Sequence, residues 1–440
     1  MREHHAHIAA YGQSLALPNL ADCASLADCL DRVRDAAGEV RAGGWIRMLG
    51  ARIESWPERR WPTLLELDRA ASHRSCVIMS FDHHAAAANT HAMRAGGVRP
   101  GQDVPPKGVV CVDAEGAPTG LLLEHAAYKV WEAAPEPTRD EVRAHVLAGL
   151  TALRDLGYTE VHDLHSQDWL GPVLAGLERS GELPVDRVLL YPNVAKLEAV
   201  YALRGRWESS RVRLAGGKLF ADGTLNSRTA LMLSPYREPL NDLPLGQMMA
   251  TPAEVHRALE LTESLGLHLA VHAIGDGAVR MVLDVWERHQ GIKGSRDQAQ
   301  SPIPRSLDPS IPSLRIEHCE LIDEQDVPRF AKLNVICGVQ PCHLLTDIDV
   351  LTRQLPDRLD RVLPLRELID SGCTPAGPDG SGLLWFGSDV PIVRADAADS
   401  IQAAVHRRRA GMSESEAIGW NQRISEAEGF TCFGLDGATP

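Results

Sequence analysis

The sequence is poor in the features that would take it out of the ordinary globular class. No apolar run approaches the roughly 20 residues of a bilayer-spanning helix. The opening residues, Met1-Arg2-Glu3-His4-His5, lack the apolar core of a signal peptide, so a cytoplasmic location is expected. Positive charge is in deficit: 45 Lys and Arg against 59 Asp and Glu leave a formal net charge of −14. Such a field does not favour nucleic acid or an anionic membrane as a partner. None of the 9 cysteines forms a Cys-x-x-Cys pair, which excludes a zinc ribbon and a thioredoxin-like motif. Reduced, mostly buried thiols are expected instead. No solenoid-type repeat is present.

What is present is length, an ordinary composition and histidine. The 440 residues suffice for one large barrel domain with insertions or for two ordinary domains. Apolar residues make up 44% and charged residues 24%, as in a typical globular protein. From about residue 140 the chain repeats a helix, a turn and a short apolar strand. Thr138-Arg139-Asp140-Glu141 reads as a capping box, with Gly157 closing the helix that follows. Thr251-Pro252-Ala253-Glu254 is a second box, with proline at the first helical position. Strands are expected at residues 158–164, 185–191, 212–220, 267–273, 314–318, 335–340 and 383–389, and a helix near 324–333. With residues 3–8 as the first, the strands number eight, the count of a closed (β/α)₈ (TIM) barrel in an α/β fold. The whole of 1–440 reads as a single domain, in which residues 45–135 are expected to form a β- and loop-rich insertion over the barrel mouth. Residues 291–313, rich in Pro and Ser, are expected to be an exposed loop, with a smaller loop at 372–382.

Several ionisable groups fall at the C-terminal ends of these strands: His5 and His7 on the first, Lys218 on the fourth, His272 on the fifth, His318 on the sixth and Asp389 on the eighth. In a parallel barrel all those ends open on one face, so residues distant in sequence converge. His5 and His7, two apart, point the same way along a strand. Four imidazoles, an aspartate and a lysine suit Zn²⁺, or Mn²⁺, Co²⁺ or Fe²⁺. The lysine fits if burial neutralises its amine and CO₂ converts it to an anionic carbamate that bridges two ions. Taken singly, each residue has a plainer use: a solvated His4-His5-x-His7 terminus, a hydrogen-bonded core histidine, a buried ion pair, a helix cap at Asp389. Their joint occurrence at the expected strand ends favours the metal centre.

At these positions the sequence resembles the amidohydrolase superfamily, and within it amidohydrolase family 3, the YtcJ-like metal-dependent hydrolases. The matching segments are His5-Ala6-His7-Ile8, Pro118-Thr119-Gly120 with Glu124, Gly217-Lys218-Leu219-Phe220-Ala221-Asp222-Gly223 and Val271-His272-Ala273-Ile274-Gly275-Asp276. They continue with Arg315-Ile316-Glu317-His318-Cys319, Val339-Gln340-Pro341-Cys342-His343 and Phe386-Gly387-Ser388-Asp389-Val390-Pro391, to about Arg407. The resemblance implies one or two divalent ions, most readily Zn²⁺. His5 and His7 would hold the more buried ion, carboxylated Lys218 would bridge, and His272 and His318 would hold the second. Asp389 would bind metal and act as general base and then general acid. The implied reaction is hydrolysis of a non-peptide C–N bond, as in an amide or formamide. His84, in Asp82-His83-His84 with Asn89, matches a family segment in which glycine stands where His83 is; Asp222, Arg228 and His343 are further candidates for orienting a small-molecule substrate. The family's flanking β-sandwich is expected to be absent, which leaves the first strand little preceding chain to tie it down. That missing sandwich also leaves a homodimer as the expected assembly. Other readings of the same centre are a deaminase, a lactone or ester hydrolase, or a non-catalytic barrel with a binding role. The basic run Arg407-Arg408-Arg409 reads as a solvated helix face rather than a carboxylate site.

Overall fold

The computed structural model describes residues 1–99, 104–240, 242–296 and 313–437. The chain clusters into two compact units. One is Met1–Gly12 with Arg143–Pro239 and Leu243–Pro440, the other Gln13–Val142 with Leu240–Asp242. The first opens with strand β1 (Arg2–Ala6).

The second unit holds β2 (Trp45–Ala51), β3 (Ser75–Ser80), β4 (Ala85–Ala88), β5 (Gly108–Val112) and β6 (Pro118–Glu124), in the order β2-β3-β4-β6-β5. Only β2 and β3 run parallel; the other pairs are antiparallel. The sequence points to strand and loop over 45–135. The unit instead starts earlier, at Gln13, and carries the helices Leu26–Glu39, Leu64–Ala71, Thr90–Ala95 and His125–Trp131. Local signals account for three of them: Ser25 caps the first, a Thr63–Glu66 capping box starts the second, and Asn89 caps the third. The unit has its own core, in which Leu26, Val33, Trp56 and Leu67 pack together.

The first unit resumes with β7 (Glu160–Ser166), β8 (Arg187–Pro192), β9 (Val212–Leu214), β10 (Gly216–Phe220), β11 (His268–Ala273), β12 (Leu314–His318), β13 (Ile336–Val339) and β14 (Leu384–Phe386). They form two parallel sheets, β1-β7-β8-β9 and β10-β11-β12-β13-β14. Single parallel bridges, Ala6 with Val390 and Asn193 with Lys218, join residues of one sheet to residues beside the other. The architecture is α/β of the TIM-barrel kind, in two sheets rather than one closed ladder. The strand expected over 212–220 is divided at Ala215. Its N–H donates back to Leu190 O in β8 at 3.0 Å, while its carbonyl accepts from His268 N at the start of β11 at 3.1 Å, so the backbone changes partners there. Gly216 follows because no side chain fits: a Cβ would lie 2.5 Å from both the Tyr191 ring and the His268 carbonyl.

Helices cover these strands. The helix Arg139–Asp155 starts at Thr138, whose hydroxyl accepts from Glu141 N, and ends before Gly157, at φ 91°. The helix Pro252–Ser264 begins with the expected Thr251–Glu254 box. Several elements differ from expectation, among them the last strand, expected over 383–389 and observed as Leu384–Phe386. The first strand ends at Ala6, and Ile8 already opens the helix Ile8–Ser14. The helix sought over 324–333 is the shorter Val327–Lys332. Residues 291–296 of the expected loop continue the helix Asp276–Arg296, and 297–312 lie outside the described residues.

The first strand is well held. Met1 N donates to Gly157 O at 3.2 Å, Arg2 N to Phe433 O at 2.9 Å, and β1 pairs with β7. Arg407, expected on a solvated face, is fully buried with φ 57° and donates to the carbonyls of Val362, Leu363 and Ile418. It closes a helix end and ties the chain around those carbonyls, a use of guanidinium geometry that charge spacing alone does not reveal. All nine cysteines are buried and none is in a disulfide, as the sequence implies. Among the described residues, no helix is long and apolar enough to cross a membrane.

Candidate metal centre

The ladder continues for a few residues past the strand ends and fixes the backbone of the candidate ligands. Asp389 N donates to His5 O at 2.7 Å, and His7 N to Val390 O at 2.9 Å. Ala221 N donates to His272 O at 2.9 Å, and Cys319 N to Ala273 O at 3.0 Å. Two of the candidates sit in the left-handed region, His318 at φ 74° and Asp389 at φ 65°. For residues with a Cβ this is costly backbone, of the kind that concentrates at functional sites. Asp389 caps no helix; it lies three residues beyond β14.

Asp389 is the hub. Its Oδ1 lies 2.8 Å from His7 Nε2 and 3.2 Å from His5 Nε2; its Oδ2 lies 3.8 Å from His343 Nε2 and 4.0 Å from His318 Nδ1. His5, His7 and Asp389 form one group able to hold a cation, and His318, His343 and Asp389 another. The rings of His5 and His318 are 4.8 Å apart, and those of His272 and His318 4.4 Å. Lys218 is fully buried, its Nζ 5.1 Å from the Phe220 ring, whose centroid lies 5.1 Å from that of His272. The fold therefore gathers the six residues singled out as ligands into one region of the first unit. It adds His343 and, beside it, Glu320 at 3.2 Å.

The electrostatics of His5, His318 and Asp389 suit a cation. Burial pushes His5 down to about 4 and His318 well below the usual imidazole range, so both are neutral donors at pH 7. Burial also pushes Lys218 down to about 8. For Asp389 burial acts upward, but the imidazoles of His5 and His7 outweigh it and hold the carboxyl well below its ordinary value. For His343 burial acts downward, but Glu320, Asp389 and Asp347 outweigh it and push its pKa up to about 9.

Whether these residues fit a metal ion turns on lone pairs. Glu317 Oε2 lies 2.7 Å from His5 Nδ1, and an ionised carboxylate only accepts, so Nδ1 carries the proton. His5 Nε2 then presents its lone pair to Asp389 Oδ1, another acceptor, at 3.2 Å. Two facing acceptors repel unless a cation lies between them, and about 3 Å is a spacing ligands of one four-coordinate ion adopt when bonds are about 2 Å. His318, held neutral, has its Nδ1 buried without a hydrogen-bond partner, 4.0 Å from Asp389 Oδ2. Buried polar atoms are rarely left so, and an ion bound beside Asp389 would give this nitrogen a partner. The donor set of imidazole nitrogens and carboxylate oxygens fits a divalent metal.

The remaining candidates divide. Asp222 accepts from the N–H groups of Leu231 (2.8 Å), Ile274 (3.0 Å) and Gly275 (2.9 Å), and its Oδ1 lies 3.6 Å from His272 Nε2. It pins the loops around His272. Arg228 is half-buried at φ 52° and donates to Glu238 O at 3.0 Å. His84 belongs to the second unit, where its Nδ1 lies 2.8 Å from Glu124 Oε2. Asn89 there caps a helix and bonds the backbone of Cys76. Sequence reasoning gives no role to Glu317, Glu320, Asp347 or His165. Glu317 was detectable: in Leu-Arg-Ile-Glu-His two charges alternate through an otherwise apolar strand. His165, at φ 136° near the end of β7, is open to solvent while Leu164 and Ser166 beside it are buried. Its ring packs edge-on against Phe220 at 5.2 Å.

Candidate ligand groups gathered at the ends of parallel strands are an arrangement suited to a metal-dependent hydrolase. The chain belongs to the amidohydrolase family, whose family model matches residues 2–439. It is 26% identical to the putative amidohydrolase YtcJ of Bacillus subtilis over 92% of this chain and 72% of that one. It is 27% identical to the protein LONG AFTER FAR-RED 3 of Arabidopsis thaliana over 92% of this chain and 67% of that protein. An N-substituted formamide deformylase of Arthrobacter pascens is 23% identical over 81% of this chain and 65% of its own length. Among solved structures, an uncharacterized metal-dependent hydrolase of Pyrococcus horikoshii OT3 superposes with a TM-score of 0.70 at 25% identity, covering 98% of this chain and 78% of that one.

Proposed function

We propose that this amidohydrolase cleaves a non-peptide C–N bond of a small amide, with N-substituted formamides as the first class to test. The observation that carries the reading is the pair of imidazole nitrogens, His5 Nε2 and His7 Nε2, converging at 3.2 and 2.8 Å on one carboxylate oxygen of Asp389. The two parallel sheets would act as one (β/α)₈ barrel, with His5, His7, His272, His318 and Asp389 holding one or two ions, Zn²⁺ first among them. Lys218 would complete the set: its buried amine, pushed down to about 8, is partly neutral near pH 7–8, and only the neutral amine adds CO₂, losing a proton to become a carbamate. A bound divalent ion supplies Lewis acidity, lowering the pKa of water and polarising a carbonyl. Asp389 accepts a proton from the attacking water at a carboxylate oxygen and delivers it to the departing nitrogen, so that amide and water become carboxylic acid and amine. The formamide class is supported by family membership and by the name of the Arthrobacter relative.

The test is reconstitution of the purified chain with Zn²⁺ or Mn²⁺, elemental analysis, and a screen of N-substituted formamides and N-acyl amines for released acid. At least one equivalent of metal and metal-dependent turnover are expected. Less than one equivalent after reconstitution overturns the metal reading, and a loaded protein inert on every amide overturns the substrate class.

A further inference from the structure

The proposed centre depends on which nitrogen of His5 is free, and the molecule contains a device that decides it. Glu317 is fully buried on β12. Its Oε2 meets His5 Nδ1 at 2.7 Å, and its Oε1 accepts from Arg315 Nε. Arg315 is itself locked in place. Its Nη2 donates to His4 O at 2.8 Å, its Nη1 lies 3.1 Å from His162 Nδ1, and its guanidinium lies 5.3 and 5.1 Å from the Tyr191 and Trp385 rings. An ion pair held this way keeps Glu317 a carboxylate, able only to accept. One further polar group reaches His5 Nδ1, the Gln340 amide at 3.2 Å. Were Gln340 to donate there, Nδ1 would be unprotonated and Nε2 would carry the hydrogen, facing Asp389 as a donor and closed to a metal.

The neighbouring strand has been hollowed to admit this carboxylate. Opposite Glu317 in β13 stands Gly338, paired with it in register. A Cβ on Gly338 would lie 2.6 Å from Glu317 Oε2, 2.8 Å from Oε1 and 2.9 Å from Cδ. Any larger residue would displace the carboxylate from His5.

We propose that Glu317, clamped by Arg315 and lodged over Gly338, is the positioning residue that fixes the His5 tautomer and thereby the metal affinity of the His5, His7 and Asp389 group. The proposal rests on the metal reading above. Carboxylates that orient a ligating histidine typically carry about 10- to 100-fold in metal affinity.

The test measures Zn²⁺ affinity by chelator competition on the folded, full-length chain and its variants. Glu317→Gln removes the obligate acceptor and is expected to weaken binding about 10- to 100-fold. Gly338→Ala, which alters no polar group of the centre, is expected to weaken it in the same direction. The control is Gly176→Ala, where a Cβ would meet nothing within 4 Å, and its affinity should match the wild type. A second readout is ¹⁵N NMR of the metal-free protein with labelled histidine: His5 should be protonated at Nδ1 in the wild type and change tautomer population in Glu317→Gln. If the wild type binds metal and both variants bind it equally tightly, or if His5 is protonated at Nε2, the proposal is overturned while the metal reading stands. If the wild type binds no metal, both fall.

Discussion

Each unit buries a histidine against a glutamate at nearly the same distance. In the first, His5 Nδ1 meets Glu317 at 2.7 Å; in the second, His84 Nδ1 meets Glu124 at 2.8 Å. The surroundings separate them. The far nitrogen of His5 faces Asp389, which also receives His7 and lies near His318 and His343. Beside His84, Ser80 Oγ bonds both Asp82 Oδ1 and, at 2.8 Å, Ala85 O, and Asp82 accepts from His84 N at 3.3 Å. Among the described residues, the groups able to hold a cation all lie in the first unit. A buried His–Glu pair is thus a component. It becomes part of a centre where parallel strands deliver further donors to the same point, and the antiparallel pairs of the second unit send neighbouring strand ends opposite ways.

The comparison is broken most directly at Asp389. Asp389→Asn should lower turnover of whichever amide the screen identifies by about 10²- to 10⁴-fold, the range for loss of a general base, measured as kcat on metal-loaded protein. Near-wild-type turnover would remove Asp389 from the chemistry. In the second unit Glu124→Gln should leave the metal stoichiometry unchanged in elemental analysis and cost about 1–3 kcal/mol of stability in urea unfolding, the usual penalty for spoiling a buried polar pair. Loss of metal in that variant would erase the distinction between the two pairs. The smallest effect concerns His83, which occupies left-handed backbone at φ 61° where the resembling family segment has glycine. His83→Gly relieves about 1–2 kcal/mol of backbone cost and returns part of it as unfolded-chain entropy. A net gain of no more than about 1 kcal/mol is expected, read as a slightly raised Tm. A large loss would show that the imidazole, not the backbone, matters there.

Much of the candidate site is legible in the amino-acid sequence. Lys218, His272, His318 and Asp389 each follow an apolar run, and the helices between those runs announce themselves through Thr138, Thr251 and Pro252. Edges of elements are not legible in the same way. Helix replaces strand at Ile8 because His7 N is drawn to Val390 O, and the 212–220 strand divides where Ala215 changes partners. The four helices of the second unit escape a reading of periodicity because most are short and their caps lie among polar residues.

By itself the sequence determined the kind of strands, their order and the residue types they carry, because apolar periodicity and caps act over a few neighbours. It determined that His5, His7, Lys218, His272, His318 and Asp389 would stand near strand ends. Only the tertiary structure decided that β1 is firmly held, that Arg407 is a buried tie, and that His343 and Glu320 join the candidate centre. It alone set Glu317 against His5, over the space that Gly338 leaves open. Those facts depend on partners far apart along the chain, and which nitrogen keeps its proton is settled only when the acceptor arrives.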